Sequence, residues 1–416
     1  MNLLVSGQPL SINKLLIKAD LMESKVKAWF VWLISNLIVI FSNMQIIYTF
    51  ISVDLEKELG LTIAQVALAN SAYNWTFAIS QFVSGAMFNV FSSKRIYFFS
   101  LSTMILGFLV LINSDNFSHL ILSQVLIAIG ASFGFVGAAH ISSICFPVAQ
   151  FGLMFSLVQT ISSLSALVIQ ILFSSFLAEG IYWKNLIVCI VLLGVSIFVL
   201  MFFYPEALSE RSLEKYTIKS SIKTVICSVL TVLKLRDIWI TSIVGAITFG
   251  TFLALNTLWA PRLLSSLELD AVESGIATAV LWLGLAIGAP IADRISNLFE
   301  NRKHVISAFA LLQGVSIIIL LCSHLAVHIV YSCMLMFGFF AGGHMLNFTV
   351  GSEIVERKRI STSSSVINGF MFIVGGIIAS TLALFTDHQM ALLTIFAALA
   401  TASILNYATK ETYPKK

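Results

Sequence analysis

Twelve apolar stretches, separated by short polar segments, run along this chain. A helix needs roughly 20 apolar residues to cross a bilayer, and each stretch is about that long or longer. Backbone polar groups in lipid must be satisfied within the segment, so all twelve are expected to be helices. The stretches lie at about 29–50, 64–90, 96–113, 119–145, 151–177, 183–203, 238–259, 272–292, 304–323, 327–351, 362–386 and 389–408.

One longer polar segment divides the twelve stretches into two sets of six. Every other loop is short, which leaves no separate soluble domain to hold an active site. Residues 11–27 have the pattern of a short amphipathic helix on the membrane surface. The predicted parts are a cytoplasmic N-terminal segment (1–28), a six-helix bundle (29–204), a cytoplasmic central loop (205–237), a second six-helix bundle (238–409) and a cytoplasmic tail (410–416).

Composition and charge agree with a membrane protein and orient it. Apolar residues make up 58% of the chain and charged residues 11%, whereas a soluble fold needs a polar outer face. If both termini share one side, all Lys and Arg residues except Lys57, Lys184 and Arg262 lie on that side. Basic loops mark the cytoplasmic face. We therefore expect cytoplasmic termini and a multi-pass protein of the inner (plasma) membrane.

The remaining composition predicts few partners. The five cysteines form no CxxC pair, so packing explains them better than metal or redox chemistry. The net charge of +4 reflects the cytoplasmic loops and requires no nucleic acid. We expect a monomer in the lipid bilayer, with no metal, no cofactor and no enzymatic activity, because no nucleophile, metal cluster or acid pair lies at depth.

The two halves of the sequence echo each other. Asn89 after the second stretch and Asp293 after the eighth are 204 residues apart, and the same offset pairs His140 with His344. Each histidine ends a run of small residues. A shared register at two distant points indicates duplication of a six-helix unit. Such repeats are typical of secondary transporters, whose halves move around a central site.

The loop after the second stretch carries a recognisable motif. Gly85 stands at its first position, and Lys94 and Arg95 stand at its last two positions. With twelve helices in two sixes, it resembles the loop 2–3 signature of the major facilitator superfamily, Gly-x-x-x-Asp-(Arg/Lys)-x-Gly-x-(Arg/Lys)-(Arg/Lys). Asn89 departs from that pattern by replacing the acidic residue. The resemblance implies alternating access and a cytoplasmic gate that these residues help to hold shut.

The second half repeats the motif in altered form. Asp293 and Arg294 match its acidic and basic positions, so the resemblance implies that Asp293 carries more of the lock than Asn89. Short apolar motifs around Trp259 and Trp282 also resemble a bacterial branch of the superfamily. That branch includes nutrient and siderophore carriers of intracellular bacteria.

The predicted helix interiors contain no acidic residue, lysine or arginine. Asp54, Asp293 and Glu353 come closest to an interior. A carrier for a strongly anionic solute needs a buried cation, and a carrier for lipophilic cations favours a buried carboxylate. The sequence therefore favours a neutral or zwitterionic solute.

His344 is the most interior ionisable side chain. Imidazole titrates near physiological pH, so His344 either couples a proton to transport or hydrogen-bonds the substrate. A neutral histidine bonded to a neighbouring helix is the structural alternative, and for His140 we favour that alternative.

Amides and aromatic residues cluster on helices that line the cavity in the resembled family. Such groups suit a polar organic molecule, although interhelical hydrogen bonds explain each position taken alone. The predicted substrate-binding residues are Asn36, Asn43, Tyr48, Tyr73, Asn74, Gln159, Asn256, Trp259, His344, Asn347 and Asn368.

These observations predict a secondary active transporter. We expect proton-coupled uptake of a small polar organic solute, such as an amino acid, a nucleoside or a siderophore-like compound. A drug or metabolite exporter of the same superfamily is the first alternative. A receptor or sensor that keeps the scaffold without transporting is the second.

Overall fold

The computed structural model describes residues 9–205, 218–256, 264, 271–321, 325–382, 384–385 and 387–414. It describes their side chains except those of 9–24, 218–219, 271–272, 274–275 and 388. All regular structure within these ranges is helical. The prediction of an all-α membrane protein is confirmed.

Within the ranges that the structure describes, twelve helical spans form two sets of six. Eleven are long and apolar enough to cross a membrane by length and composition, and α2 is the twelfth. It contains amides and hydroxyls but no charged residue. The first half has α1 Lys25–Leu59, α2 Ile63–Met87, α3 Ser93–Ile112, α4 Phe117–Cys145, α5 Val148–Ala178 and α6 Trp183–Phe203. The second half has α7 Arg236–Ala254, α8 Ile276–Leu298, α9 Lys303–Leu321, α10 Val327–Ile354, α11 Arg357–Leu382 and α12 Gln389–Ala408.

Two segment boundaries differ from the sequence expectation. The helix that contains the start of α1 runs from Pro9 to Ser42 without a break, so the boundary predicted at residue 28 falls inside it. The predicted central loop contains a helix, Ile218–Leu233, which we name the connecting helix. Its apolar residues at Val225 and Val232 are buried against the bundle.

Short 3₁₀ segments interrupt two spans. In α1 the segment is Asn43–Ile46, and in α10 it is Gly342–His344. A stretch of 3₁₀ helix changes the direction of the side chains on either side of it, and inside a helix it often marks a functional position. Both interruptions lie at the cavity described below.

The two halves meet where small residues allow close approach. Gly85 of α2 lies against the backbone of Ser361 in α11, so that any side chain there would meet it. Gly152 of α5 lies equally close to Asp293 of α8. Small residues at helix contacts are usual in membranes. Both contacts lie toward the end of the bundle that carries Lys94 and Arg95, which we name the basic end.

Candidate substrate cavity and gate

A cavity of about 690 Å³ lies between the two halves. Helices α1, α2, α4 and α5 form one wall, and α7, α8, α10 and α11 form the other. Its size falls within the roughly 300–1,000 Å³ of small-molecule sites. No charged side chain is among the lining residues that the structure describes. The polar side chains that line it are Ser42, Asn43, Gln45, Thr49, Asn70, Tyr73, Asn74, Gln159, Ser162, Gln170, Asn256, Thr278, Trp282, His344 and Asn368.

The first-half wall is rich in amides. The Asn43 side chain, at the 3₁₀ break of α1, donates from Nδ2 to the Ser162 backbone oxygen (3.0 Å) and to Ser165 Oγ (2.8 Å). The Gln159 amide donates to Ser163 Oγ at 3.0 Å. These bonds tie α1 to α5 and hold α5 itself, so both amides have a defined orientation at the wall.

The second-half wall is largely aromatic. The His344 ring stacks on Phe249, with 4.6 Å between ring centroids and 25° between planes. Its Nδ1 lies 2.8 Å from the Ala341 carbonyl oxygen. Phe372 contacts Phe249 and also Phe77 of the first half, at 4.6 Å. This wall presents aromatic surfaces, with the His344 imidazole and polar side chains such as Asn256 and Asn368 among them.

The structure places seven of the eleven predicted binding residues at the cavity. These are Asn43, Tyr73, Asn74, Gln159, Asn256, His344 and Asn368. Trp259 lies outside the described residues.

The other three predicted residues serve contacts between or within helices. Asn36 donates from Nδ2 to the Trp32 carbonyl oxygen at 2.8 Å, one turn earlier on α1. The Tyr48 hydroxyl donates to the Val66 carbonyl oxygen (2.8 Å), and Asn347 accepts a bond from the Thr241 hydroxyl (2.9 Å). None of the three lines the cavity.

Two further amides line the cavity and were not predicted, although the sequence carries a signal for both. Asn70 lies one turn before Asn74 on α2, and Gln170 lies three turns after Gln159 on α5. Residues at those spacings share a helix face. Extending the polar face of each helix would have found both.

At the basic end, Asn89 joins the two halves through hydroxyl groups. Its Nδ2 donates to Thr362 Oγ1 at 2.8 Å, and Ser361 Oγ donates to its Oδ1 at 3.1 Å. Thr362 also bonds Ser228 of the connecting helix at 3.0 Å. The neutral residue that replaces the motif's acid therefore still makes a contact across the halves.

The second-half motif forms a charged cluster instead. Arg302 is 5% exposed, and its Nη2 lies 3.0 Å from Glu353 Oε1. Its Nη1 donates to Ser296 Oγ and to Asn297 Oδ1 (3.0 and 2.9 Å). Asn297 in turn donates to Asp293 Oδ2 at 2.9 Å. The cluster holds Asp293 against Gly152 of the other half.

The C-terminal tail completes this cluster. The Glu411 carboxylate accepts the backbone N–H groups of Arg302 and Lys303, at 3.0 Å each. Thr412 donates from Oγ1 to Glu353 Oε2 at 2.6 Å, and the Tyr413 ring lies 4.9 Å from the Arg302 guanidinium. The tail thus caps the start of α9 beside the charged cluster.

The other predicted gate residues lie at the same end in different surroundings. Lys94 donates from Nζ to the Phe202 carbonyl oxygen at 3.3 Å, which is a contact within the first half. Arg95 and Arg294 are exposed, and Gly85 lies at the close approach to Ser361.

Further contacts close the basic end. Arg357 donates from Nη2 to the Ser143 carbonyl oxygen (3.2 Å), and Thr160 donates to the Ala286 carbonyl oxygen (2.7 Å). The Phe348 ring packs edge-on against Phe155 of the first half at 5.0 Å. The halves are therefore joined at the basic end, and the cavity lies between them further along the bundle.

Two six-helix halves around a central solute-sized cavity define a membrane transporter rather than an enzyme. The Major Facilitator Superfamily model matches residues 33–380, and the chain belongs to that family.

Comparisons with solved structures give the same fold. A variant of the Escherichia coli fucose:proton symporter FucP is 15% identical, with a TM-score of 0.70 over 93% of this chain and 100% of that chain. The proton:xylose symporter XylE is 12% identical, with a TM-score of 0.75 over 93% and 97%. The human organic anion transporter MFSD10 (TETRAN) is 12% identical, with a TM-score of 0.71 over 92% and 99%. No curated protein sequence matches this chain.

Proposed function

We propose that this protein is a secondary active transporter for the uptake of a small polar organic solute without net charge. The observation that carries the proposal is the cavity of about 690 Å³, lined by amides and aromatic rings and closed at the basic end. A buried charge on the solute would meet no opposite charge among the described lining residues, and that desolvation is costly.

The proposed orientation places the basic end in the cytoplasm. Lys94, Arg95, Arg294 and Arg357 gather there, and basic loops stay on the cytoplasmic side. With that orientation, the contacts between the halves at the basic end lie on the cytoplasmic side of the cavity, as expected of a state that receives solute from outside. The membrane would be the cell inner (plasma) membrane.

Proton coupling is a separable part of the proposal. FucP and XylE are described as proton symporters, and His344, whose side chain ordinarily titrates near physiological pH, lines the cavity. The sequence leaves two functional roles open for this ring, carrying a proton or bonding the solute. If His344 carries the proton, its substitution changes the pH dependence of transport. If it only bonds the solute, that dependence is unchanged.

The first experiment identifies a ligand and then tests movement. A thermal-stability screen of purified protein against a metabolite panel detects ligands, because saturation at 100 times Kd stabilises the folded state by about 2.7 kcal/mol. The strongest ligand is then assayed for counterflow in proteoliposomes. Saturable binding without counterflow would contradict transport and favour the receptor alternative.

Two variants test the coupling role. His344→Gln cannot titrate, so coupling through this residue predicts that its transport rate loses the pH dependence of the wild type. His140→Gln is the matched control, because His140 stacks on Phe88 and does not line the cavity. An unchanged pH profile in His344→Gln would remove the coupling role from that residue.

Binding confined to lipophilic cations would favour the exporter alternative.

A further inference from the structure

Asn43 presents a fixed hydrogen-bond acceptor to the cavity. Its Nδ2 donates to the Ser162 backbone oxygen, and a carbonyl oxygen only accepts, so the orientation of the amide is determined. The Oδ1 atom is then the end of the side chain left for the cavity. Several polar side-chain atoms of the described residues are buried without a hydrogen-bond partner, and Asn43 Oδ1 is not one of them.

His344 presents a second fixed acceptor. The Ala341 carbonyl oxygen beside Nδ1 only accepts, so Nδ1 carries a hydrogen and Nε2 of the neutral ring holds a lone pair. Nε2 has no hydrogen-bond partner among the described residues. It is also not one of the polar atoms that are buried without a partner. The His344 ring lines the cavity, so Nε2 is the ring atom left to accept a hydrogen bond from a solute.

The two acceptors come from opposite halves. Asn43 is on α1 and His344 is on α10, each at the 3₁₀ interruption of its helix. A solute that donates to both therefore bridges the halves. Beside His344, which covers one face of Phe249, the Phe372 ring lines the cavity and offers an apolar surface.

We infer, resting on the proposed function, that the solute is an uncharged ring compound bearing hydroxyl groups, as a monosaccharide or a nucleoside does. Its hydroxyl groups donate to Asn43 Oδ1 and His344 Nε2. An apolar face of its ring lies against Phe372. This chemistry selects the nucleoside and sugar classes over amino acids and siderophore-like chelators.

The same geometry excludes anionic groups. While the His344 ring is neutral, a carboxylate or phosphate brought to these positions would face two lone pairs, and the described lining residues supply no cation. Its lost hydration would stay uncompensated. Hydroxyl groups instead leave no polar atom unpaired, and a site built to bond them rejects analogues that lack them.

The test measures ligand binding to the purified full-length protein by thermal stabilisation. The probes are D-glucose, D-xylose, L-fucose, uridine and adenosine, set against L-leucine, L-glutamate and citrate. The inference predicts stabilisation by at least one of the first five and by none of the last three. Stabilisation by glucose, xylose or fucose would identify the solute as a sugar, and stabilisation by uridine or adenosine would identify it as a nucleoside.

Variants then assign the two bonds. His344→Phe keeps a flat ring for stacking on Phe249 and removes Nε2. Asn43→Leu removes Oδ1 at similar size, together with the Nδ2 bonds to Ser162 and Ser165. Each should weaken binding of the stabilising probe by roughly 5- to 150-fold. A deoxy analogue lacking the bonded hydroxyl should bind the wild type and the corresponding variant equally. His140→Phe and Asn36→Leu are matched controls away from the cavity, expected to bind as the wild type does.

Binding by leucine, glutamate or citrate would overturn the inference, as would the absence of stabilisation by all five hydroxyl compounds. Unchanged probe affinity in both His344→Phe and Asn43→Leu would overturn it as well. Counterflow separates these results from a failure of the proposed function. A transported amino acid refutes the solute class but supports transport, whereas a bound sugar without counterflow refutes transport alone.

Discussion

Replacing Asn89 with leucine should shift the protein toward the state that is open at the basic end. Asn89 makes two hydrogen bonds across the halves, with Thr362 at 2.8 Å and with Ser361 at 3.1 Å. Both bonds exist only while the halves meet there. Leucine has nearly the same size but neither a donor nor an acceptor, so the substitution removes the bonds without removing bulk.

The magnitude follows from those two bonds. A neutral hydrogen bond contributes about 0.5–1.5 kcal/mol net, so the pair stabilises the closed basic end by about 2 kcal/mol. That energy corresponds to a roughly 30-fold change in the ratio of the two states. Thr362 retains its bond to Ser228, which limits the further cost of an unpaired hydroxyl.

Distances between spin labels measure that ratio. Cysteines introduced as Arg95→Cys and Leu298→Cys, in a background without native cysteines, place one label on each half near the basic end. Both positions are exposed. Double electron–electron resonance should show a longer-distance population growing in the Asn89→Leu protein.

Asn89→Asp is the matched comparison. An aspartate keeps an acceptor for the Ser361 hydroxyl and adds a negative charge beside the start of α11, where the helix dipole stabilises it by about 0.3–1 kcal/mol. We therefore expect Asn89→Asp to retain the short distance. An unchanged distance distribution in Asn89→Leu would refute the assignment of Asn89 to the gate.

Three further substitutions probe the same end. Glu411→Gln should lower the melting temperature. Burial raises the pKa of the Glu411 carboxyl group, but hydrogen bonds from backbone N–H groups, of which that of Arg302 is the strongest, have the larger effect. They hold the pKa below its ordinary 4.5. The stabilisation is present above that value and lost as pH falls through the lowered pKa, so melting curves of wild type and variant should converge in acid. Arg302→Met leaves Glu353 without its buried partner and should lower the free energy of unfolding by about 3–5 kcal/mol, measured by chemical unfolding. The double variant Arg302→Met with Glu353→Gln should recover part of that loss. Gly152→Ala places a methyl group against Asp293 and should lengthen the spin-label distance, and a shorter distance would contradict the close approach.

The fold was predictable because the bilayer limits the choices. Twelve apolar stretches in lipid must be helices, and the described structure contains a helical span for each. The helix Ile218–Leu233 was not predicted, since its polar face made residues 205–237 read as a loop. Its buried side is set by contacts with both halves, which a single sequence does not display.

The candidate site was predictable in composition but not in depth. Asn36 and Asn43 are seven residues apart and share a face of α1, yet only Asn43 reaches the cavity. Asn36 lies nearer the basic end, where the halves close, and its amide turns back to Trp32. Helix periodicity gives the face a residue occupies. Where the cavity ends along that face depends on how the halves are closed.

The arrangement of bonds at the basic end explains how such a gate can open. The strong contacts of Arg302 with Glu353 and Asn297 lie within the second half, so they need not break when the halves separate. The described polar bonds across the halves are few, and several involve only neutral groups, as those of Asn89 and Thr160 do. Alternating access requires two states within a few kcal/mol of each other. Rigid charged clusters inside a half and weaker bonds between halves satisfy that requirement together.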